Sequence, residues 1–258
     1  MPKPTPRVTL LTDFGTVDGY VGALKATIAT TLPHAHIDDV AHDVPPGDIE
    51  TAAWALGAYW KRYPEGTVHL VVVDPGVGTK RDALAIEADG RFLVGPDNGV
   101  LSWALREASR TDAMRSIDRP HDDEISATFH GRDVFAPAAA RLAAGEGITS
   151  LGPRVGGIVR LPWPEPVHRA DGIDGVVIHV DRYGNLITNL PGGQATSDIV
   201  VKVGVTQVDV RRTYGDALPG ELVAHVGARG LLEIAVRDGR AAERLGGKGH
   251  VVSLRAPR

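Results

Sequence analysis

Four segments of the 258-residue chain set an aspartate beside glycine at the end of what reads as a β-strand. They are Thr12-Asp-Phe-Gly15, Asp74-Pro-Gly-Val-Gly-Thr79, Gly95-Pro-Asp-Asn-Gly99 and Asp181-Arg-Tyr-Gly-Asn185. In open parallel sheets ligands bind just outside the carboxyl ends of strands, so the first two are natural pocket walls. A carboxylate there can take both hydroxyls of a ribose or the amine of an amino acid, and glycine lets the backbone approach closely. Asp and Gly also end strands as ordinary turn residues, so no single segment decides the matter. A fifth segment, Thr128-Phe-His-Gly-Arg-Asp133, puts His130 just before a predicted helix. A helix N-terminus disfavours a protonated imidazole and favours a bound anion; the plain alternative is a structural cap.

Other patterns carry less. Asp13-Phe-Gly15 copies the metal-binding triplet of kinases, but no kinase Gly-rich loop or catalytic-loop motif accompanies it. Asp74-Pro-Gly-Val-Gly-Thr-Lys80 lacks the spacing of a phosphate loop. His34 and His36 alternate and Asp38 and Asp39 follow, so a metal-dependent hydrolase is conceivable there, although no third ligand stands at helical spacing. His42-Asp43, ahead of two prolines, reads as a polar pair in a loop.

The elements that must carry these residues fall into two parts. In the first, short β-branched runs alternate with helical stretches: strands at 8–12, 37–40 and 68–73, helices at about 18–31, 48–62, 101–110 and 134–144. Val68-His-Leu-Val-Val-Val73 is a near-continuous apolar run of the kind buried on both faces of a parallel sheet. Asp48 is placed to cap the helix that follows it, and Asp89-Gly90 to turn a hairpin. Leu161-Pro-Trp-Pro-Glu-Pro166 then interrupts regular structure. Beyond it come seven short β-rich runs with turn signals, the spacing of a small barrel or sandwich. The expected fold is therefore α/β: an N-terminal layered α/β domain (1–155) with a mainly parallel sheet, a proline-rich linker (156–171), and a smaller all-β, barrel-like C-terminal domain (172–258).

Composition bounds the function. Hydrophobic residues make up 43% and charged residues 23%, enough for a real core. A net charge of −4 without a basic run argues against nucleic acid or a membrane surface as partner, and zero cysteines exclude disulfides, thiolate metal sites and cysteine nucleophiles. No signal-peptide pattern follows Met1 and no apolar run approaches the roughly 20 residues that span a bilayer, so a cytoplasmic setting is expected.

Taken in order, Thr12–Tyr20, Val73–Arg81, Gly95–Gly99, Phe129–Asp133, Asp181–Asn185 and Gly230–Val236 resemble the S-adenosyl-L-methionine (SAM) hydroxide adenosyltransferases. These SAM hydrolases, formerly a domain of unknown function (DUF62), are relatives of fluorinase and chlorinase. The resemblance covers nearly the whole chain. It implies attack of water or hydroxide on C5′ of the adenosyl group, releasing adenosine and methionine, with no metal and no cofactor. It also implies a homotrimer with each site between the N-terminal domain of one subunit and the C-terminal domain of its neighbour.

The resemblance assigns a water-holding triad to Asp74, Arg81 and His130, in which the guanidinium lowers the proton affinity of bound water and neutral His130 accepts its proton. Asp13 is implied to take the ribose hydroxyls and Asp18 the methionine amine, with Tyr20 standing where the halogenases have serine. In the C-terminal part Asn185 is assigned to adenine, Asp181 to the amino acid, and Tyr183 to an aromatic face beside the ligand. Glu233 and the backbone of Val236 are candidates for the adenine side. Where relatives carry Asn-Ser before the glycine this chain has Gly227-Ala228-Arg229, so a serine contact is missing at Ala228, and the resemblance implies that Arg229 pairs with the methionine carboxylate instead, as an arginine does in the halogenases. The halogenases align Tyr and Ser with Asp74 and Gly131; a carboxylate beside the nucleophile repels halide but orients water, which favours hydrolysis over a SAM-dependent halogenase. A non-catalytic adenosine- or SAM-binding protein is the remaining alternative.

Overall fold

A computed structural model describes residues 5–120, 125–196 and 198–256, in two compact units, 1–161 and 162–258. In the first, six strands form one sheet: β1 (Arg7–Thr12), β2 (His36–Ala41), β3 (Val68–Val72), β4 (Ala83–Ala88), β5 (Arg91–Pro96) and β6 (Thr111–Ser116), in the order β2-β1-β3-β5-β4-β6. The run β2-β1-β3-β5 is parallel, and β4 is antiparallel to both neighbours. On β3, Val68, Leu70 and Val72 enter one core while Val71 enters the other, so the unbroken apolar run serves a strand buried on both faces.

Helices α1 (Tyr20–Thr31) and α4 (Ala136–Ala143) cover one face, α2 (Ile49–Tyr59) and α3 (Ser102–Glu107) the other. Asp48 caps α2 by accepting from the Thr51 amide at 2.9 Å. Asp89 and Gly90 both take positive φ (45° and 71°) at the tip of the β4–β5 hairpin, the conformation a tight two-residue turn demands.

The structure trims several expectations. The first helix begins at Tyr20, not near Asp18, because Gly19 adopts a left-handed conformation ahead of it. The third is short, and the chain after it becomes the edge strand β6, whose polar sequence Thr111-Asp-Ala-Met-Arg-Ser116 gave no strand signal. The helix expected from Val134 opens instead as one π-helical turn at Gly131–Phe135.

The second unit is one antiparallel sheet that curls almost closed. Its members are β7 (Val167–Arg169), β8 (Gly172–Val180), β9 (Leu186–Pro191), β10 (Val200–Val203), β11 (Thr206–Val208), β12 (Leu222–Val226), β13 (Leu231–Val236) and β14 (Val251–Arg255). The order is β11-β10-β14-β8-β9-β13-β12, with β7 beside β8. A bridge between Val210 and Ala224 joins the two ends, so few edge amides are left unpaired. Its core is aliphatic: Val177, Leu186, Val201, Leu232, Ile234 and Val252 are among its buried members. The short helix α5 (Ala241–Leu245) and β7 were not expected from sequence.

Candidate active site

β2 lies on one side of β1 and β3 on the other, so the chain reverses its winding direction between β1 and β3. That switch point is where parallel sheets open a crevice at their carboxyl ends. Thr12 pairs with Val72 in register, so Asp13, one residue on, and Asp74, two residues past Val72, share this end of the sheet. Both line a cavity of about 300 Å³, together with Phe14, Gly47, Phe129 and His130. The Asp13 carboxylate is oriented by the Gly47 amide, which donates to Oδ2 at 2.8 Å.

The Asp74–Thr79 loop folds back as its glycines allow. Gly78 has φ +77°, and a Cβ there would lie 2.6 Å from the Ala127 carbonyl oxygen, so both backbone angle and space require glycine. The fold-back brings Arg81 onto Asp74: Nε donates to Oδ1 at 2.9 Å and Nη2 to Oδ2. Arg81 Nη2 also lies 3.2 Å from His130 Nδ1. The Phe135 ring backs the guanidinium at 5.1 Å, and the Asp74 and Arg81 side chains are only 4% and 9% exposed. Arg119, which stands in no recognisable motif, donates to the carbonyls of Thr79 and Arg81 and pins the loop from outside. Gly78→Ala is therefore expected to lower kcat through a displaced Arg81 and to reduce Tm, a pairing readable by steady-state kinetics and thermal melting.

Guanidinium has donors only, so the His130 nitrogen facing it must accept. The hydrogen of neutral His130 then sits on Nε2. Burial, followed by the charges of Arg81 and Arg119, lowers the His130 pKa and keeps the ring neutral near pH 7.

Aromatic rings wall this end. Phe14, Tyr20 and Phe129 meet edge to face with centroids 5.3–5.9 Å apart. A Cβ at Gly131 would come within 3.3 Å of Phe14 Cζ, so the π-helical turn starts flush against this cluster. Tyr20 is half exposed and Asp18 lies exposed on the loop before α1; neither is among the residues lining the cavity. The Gly95–Gly99 segment serves structure: Asn98 donates to the Val73 carbonyl and Asp97 accepts from the Val159 amide.

The second unit holds its own cavity of about 480 Å³, lined by Tyr183, Asn185, Tyr214 and Val236 among others. Tyr183 is 75% exposed, whereas Asn185 is buried. Asp181 fixes Asn185 twice, Oδ1 accepting from its amide at 2.8 Å and Oδ2 from its Nδ2 at 2.9 Å. Tyr214, missed from sequence, stands in a turn with its ring 4.3 Å from that of His225; an aromatic in the polar run Arg211-Arg-Thr-Tyr-Gly-Asp216 was the available signal. His225 Nε2 lies 3.2 Å from Glu233 Oε2 across the β12–β13 pair. Ala228 and Arg229 sit on the hairpin turn between those strands, where the Gly227 amide bonds to the Leu231 carbonyl.

No group of three or more His, Cys, Asp or Glu among the described residues is arranged to hold a metal. Asp38 pairs with Arg7, and Asp39 with Lys25 and His42, so the carboxylates near His34 and His36 are engaged elsewhere. No helix of the described residues is long and apolar enough to cross a membrane.

Comparison with known proteins gives matches over both units. The family model for the SAM hydroxide adenosyltransferase N-terminal domain matches residues 8–152, and that for the C-terminal domain matches 175–250. The (R)-S-adenosyl-L-methionine hydrolase of Salinispora arenicola is 43% identical over 246 residues, covering 93% of this chain and 94% of that protein. A fluorinase from Actinoplanes sp. is more distant, 27% identical over 269 residues, covering 89% and 90%. The crystal structure of an uncharacterized conserved protein from Thermotoga maritima superposes with a TM-score of 0.88 at 35% identity, covering 96% of this chain and 99% of that one.

Proposed function

The chain belongs to the SAM hydroxide adenosyltransferase family, and from that premise we propose that it hydrolyses SAM to adenosine and L-methionine, with the (R) sulfonium epimer its favoured substrate. The relatives' name supports the epimer. The observation that carries the reaction is the Asp74–Arg81–His130 network on the wall of the β1–β3 cavity.

The sulfonium leaves as a neutral thioether, so its departure needs neither an acid nor a metal. What the reaction needs is a nucleophile in line with the C5′–S bond and a substrate held at both ends. Water oxygen forms the new bond to C5′ as the C5′–S pair withdraws onto sulfur, and the water gives up one proton. His130 Nδ1 already accepts from Arg81, so its Nε2–H is placed to donate to that water. Each Asp74 oxygen accepts once from Arg81 and keeps a lone-pair site, which makes Asp74 the acceptor for the departing proton. In this reading His130 orients the water, where the resemblance implies a proton acceptor, and Arg81 ties the two together. A halide at this position would face the Asp74 carboxylate, so chloride or fluoride is a poor nucleophile here.

Binding follows the same logic. Asp13 takes the ribose hydroxyls. With both Nδ2 hydrogens of Asn185 directed at Asp181 and the Tyr214 hydroxyl (2.9 and 3.4 Å), its Oδ1 is left to accept from the adenine amine. Glu233 and the Val236 backbone complete the adenine side, Tyr183 and Tyr20 offer rings, and Asp18, Asp181 and Arg229 serve the amino-acid end. The active form is read as a homotrimer in the cytoplasm; a native mass of three chains tests the first.

Mixed-epimer SAM incubated with chelator-treated protein is expected to yield adenosine and methionine in equal amounts, with the (R) form consumed first and no halogenated nucleoside in saturating chloride. Tight adenosine binding without turnover would instead show a binding protein, and preferential loss of the (S) form would overturn the epimer assignment.

A further inference from the structure

A hydrogen-bonded chain that runs from the buried Thr12 and His42 out to the exposed Asp39 and Lys25 is not used by the candidate site. The Asp39 carboxylate only accepts, so His42 carries its hydrogen on Nε2 and its Nδ1 accepts from the Thr12 hydroxyl at 2.8 Å, while the Phe14 amide donates to the same Thr12 Oγ1 at 3.3 Å. His42 Nε2–H then donates to Asp39 Oδ1 at 3.0 Å, and the other Asp39 oxygen accepts from Lys25. One neutral tautomer of His42 satisfies the whole chain. The His42 carbonyl also accepts from the Gly15 amide at 2.7 Å, so this residue grips the Asp13–Gly15 loop from its side chain and from its backbone. His42 lies in the loop after β2, as expected from sequence, and its side chain is buried there.

The order Thr, His, Asp is that of a nucleophile with its base and orienting acid, but Thr12 is 0% exposed and cannot reach a substrate. Its neighbour Asp13 does line the cavity, as does Phe14. The sheet is bent to make the contact. β1 and β2 run in register from Arg7–His36 to Leu10–Asp39, then slip so that Leu11 faces Ala41 instead of Val40. Without this bulge Ala41 would face Thr12, and His42 would be carried past it; bulges beside functional sites commonly re-aim a side chain in this way.

We propose that His42 is a positioning residue, which through Thr12 and the Gly15 amide holds Asp13 and Phe14 in the arrangement that receives the ribose. The proposal rests on the reading of the β1–β3 cavity as the substrate site. The Asp39–Lys25 pair anchors the outer end of the chain and sets the His42 tautomer.

Thr12→Val keeps shape and removes the hydroxyl; His42→Leu removes both side-chain bonds; His42→Asn can put an oxygen where Nδ1 stood. Thr12→Val and His42→Leu are expected to raise KM for SAM and the adenosine Kd about tenfold, the scale of one lost buried hydrogen bond, with kcat falling by less. Amide exchange in the ligand-free protein should quicken at Phe14 and Gly15, while His42→Asn restores most of the KM. Unchanged KM, Kd and loop exchange beside a lowered Tm would show a purely structural contact and overturn the proposal. Should His42→Leu fail to fold, Thr12→Val decides. If wild-type protein neither hydrolyses SAM nor binds adenosine, the substrate reading falls separately, and exchange at Phe14 and Gly15 in the variants still decides whether His42 orders the loop.

Discussion

Arg81→Met is expected to lower kcat for SAM hydrolysis by roughly a thousandfold, within the usual range for losing a group that aligns proton transfer. The guanidinium satisfies both Asp74 oxygens and His130 Nδ1. Without it a carboxylate with 4% side-chain exposure is left uncompensated, and Asp74 and His130, proposed to hold the water, lose the group that ties them together. Breaking such a pair from one side costs about 3–5 kcal/mol of stability, so a chemical melt must accompany the kinetics. Arg81→Lys separates the two effects. It keeps the charge but cannot present two parallel N–H donors to Asp74 and a further one to His130. A folded Arg81→Lys protein of near wild-type stability is still expected to be slow. Wild-type kcat in that variant would mean that charge alone suffices and the fork geometry is incidental.

His130→Ala is expected to reduce kcat by about a hundredfold or more while the adenosine Kd stays within a few fold, because in the proposed mechanism the ring holds the water and not the nucleoside. The pH profile sharpens this. Protonation would place a hydrogen on Nδ1, against Arg81, and break the network. Burial and the nearby arginines hold the His130 pKa below the ordinary histidine value, so kcat should fall on the acid side in a limb displaced below that value. The unfolded chain takes up this proton at higher pH than the native one, so the same group makes stability fall as pH drops through the window between the two values. In His130→Ala both features should disappear. A variant that hydrolyses SAM at the wild-type rate would remove His130 from the mechanism.

How much of this was legible in the sequence depended on the range of each interaction. Asp13 and Asp74 could be found because strand-end motifs are local and a parallel sheet puts its ligand at those ends. Arg81 follows Asp74 by seven residues across a glycine-rich loop, short enough for the spacing to imply the contact. The ordering of the N-terminal strands was written in β-branched runs, and the barrel in the regular return of turn residues. β6 was not readable, since an edge strand half open to solvent has no need of alternating apolar residues. The π-helical turn at Gly131 was hidden because a start from either Gly131 or Val134 leaves the same apolar face inward. Arg119 grips the end of the Asp74–Arg81 loop from 38 residues away, and His42 reaches Thr12 over 30. Such contacts exist only once the sheet has brought the strands together. Tyr214 was open to discovery as a ring with no core to join, yet its role depended on Asn185 and His225, which lie on other strands.

The most direct test of the central claim is hydrolysis in heavy-oxygen water with mass analysis of both products. Attack by site-held water on C5′ predicts one heavy oxygen on the 5′ carbon of adenosine and none in methionine. Adenosine formed without the label, or methionine carrying it, would contradict C5′–S cleavage by water and with it the role assigned to Asp74, Arg81 and His130.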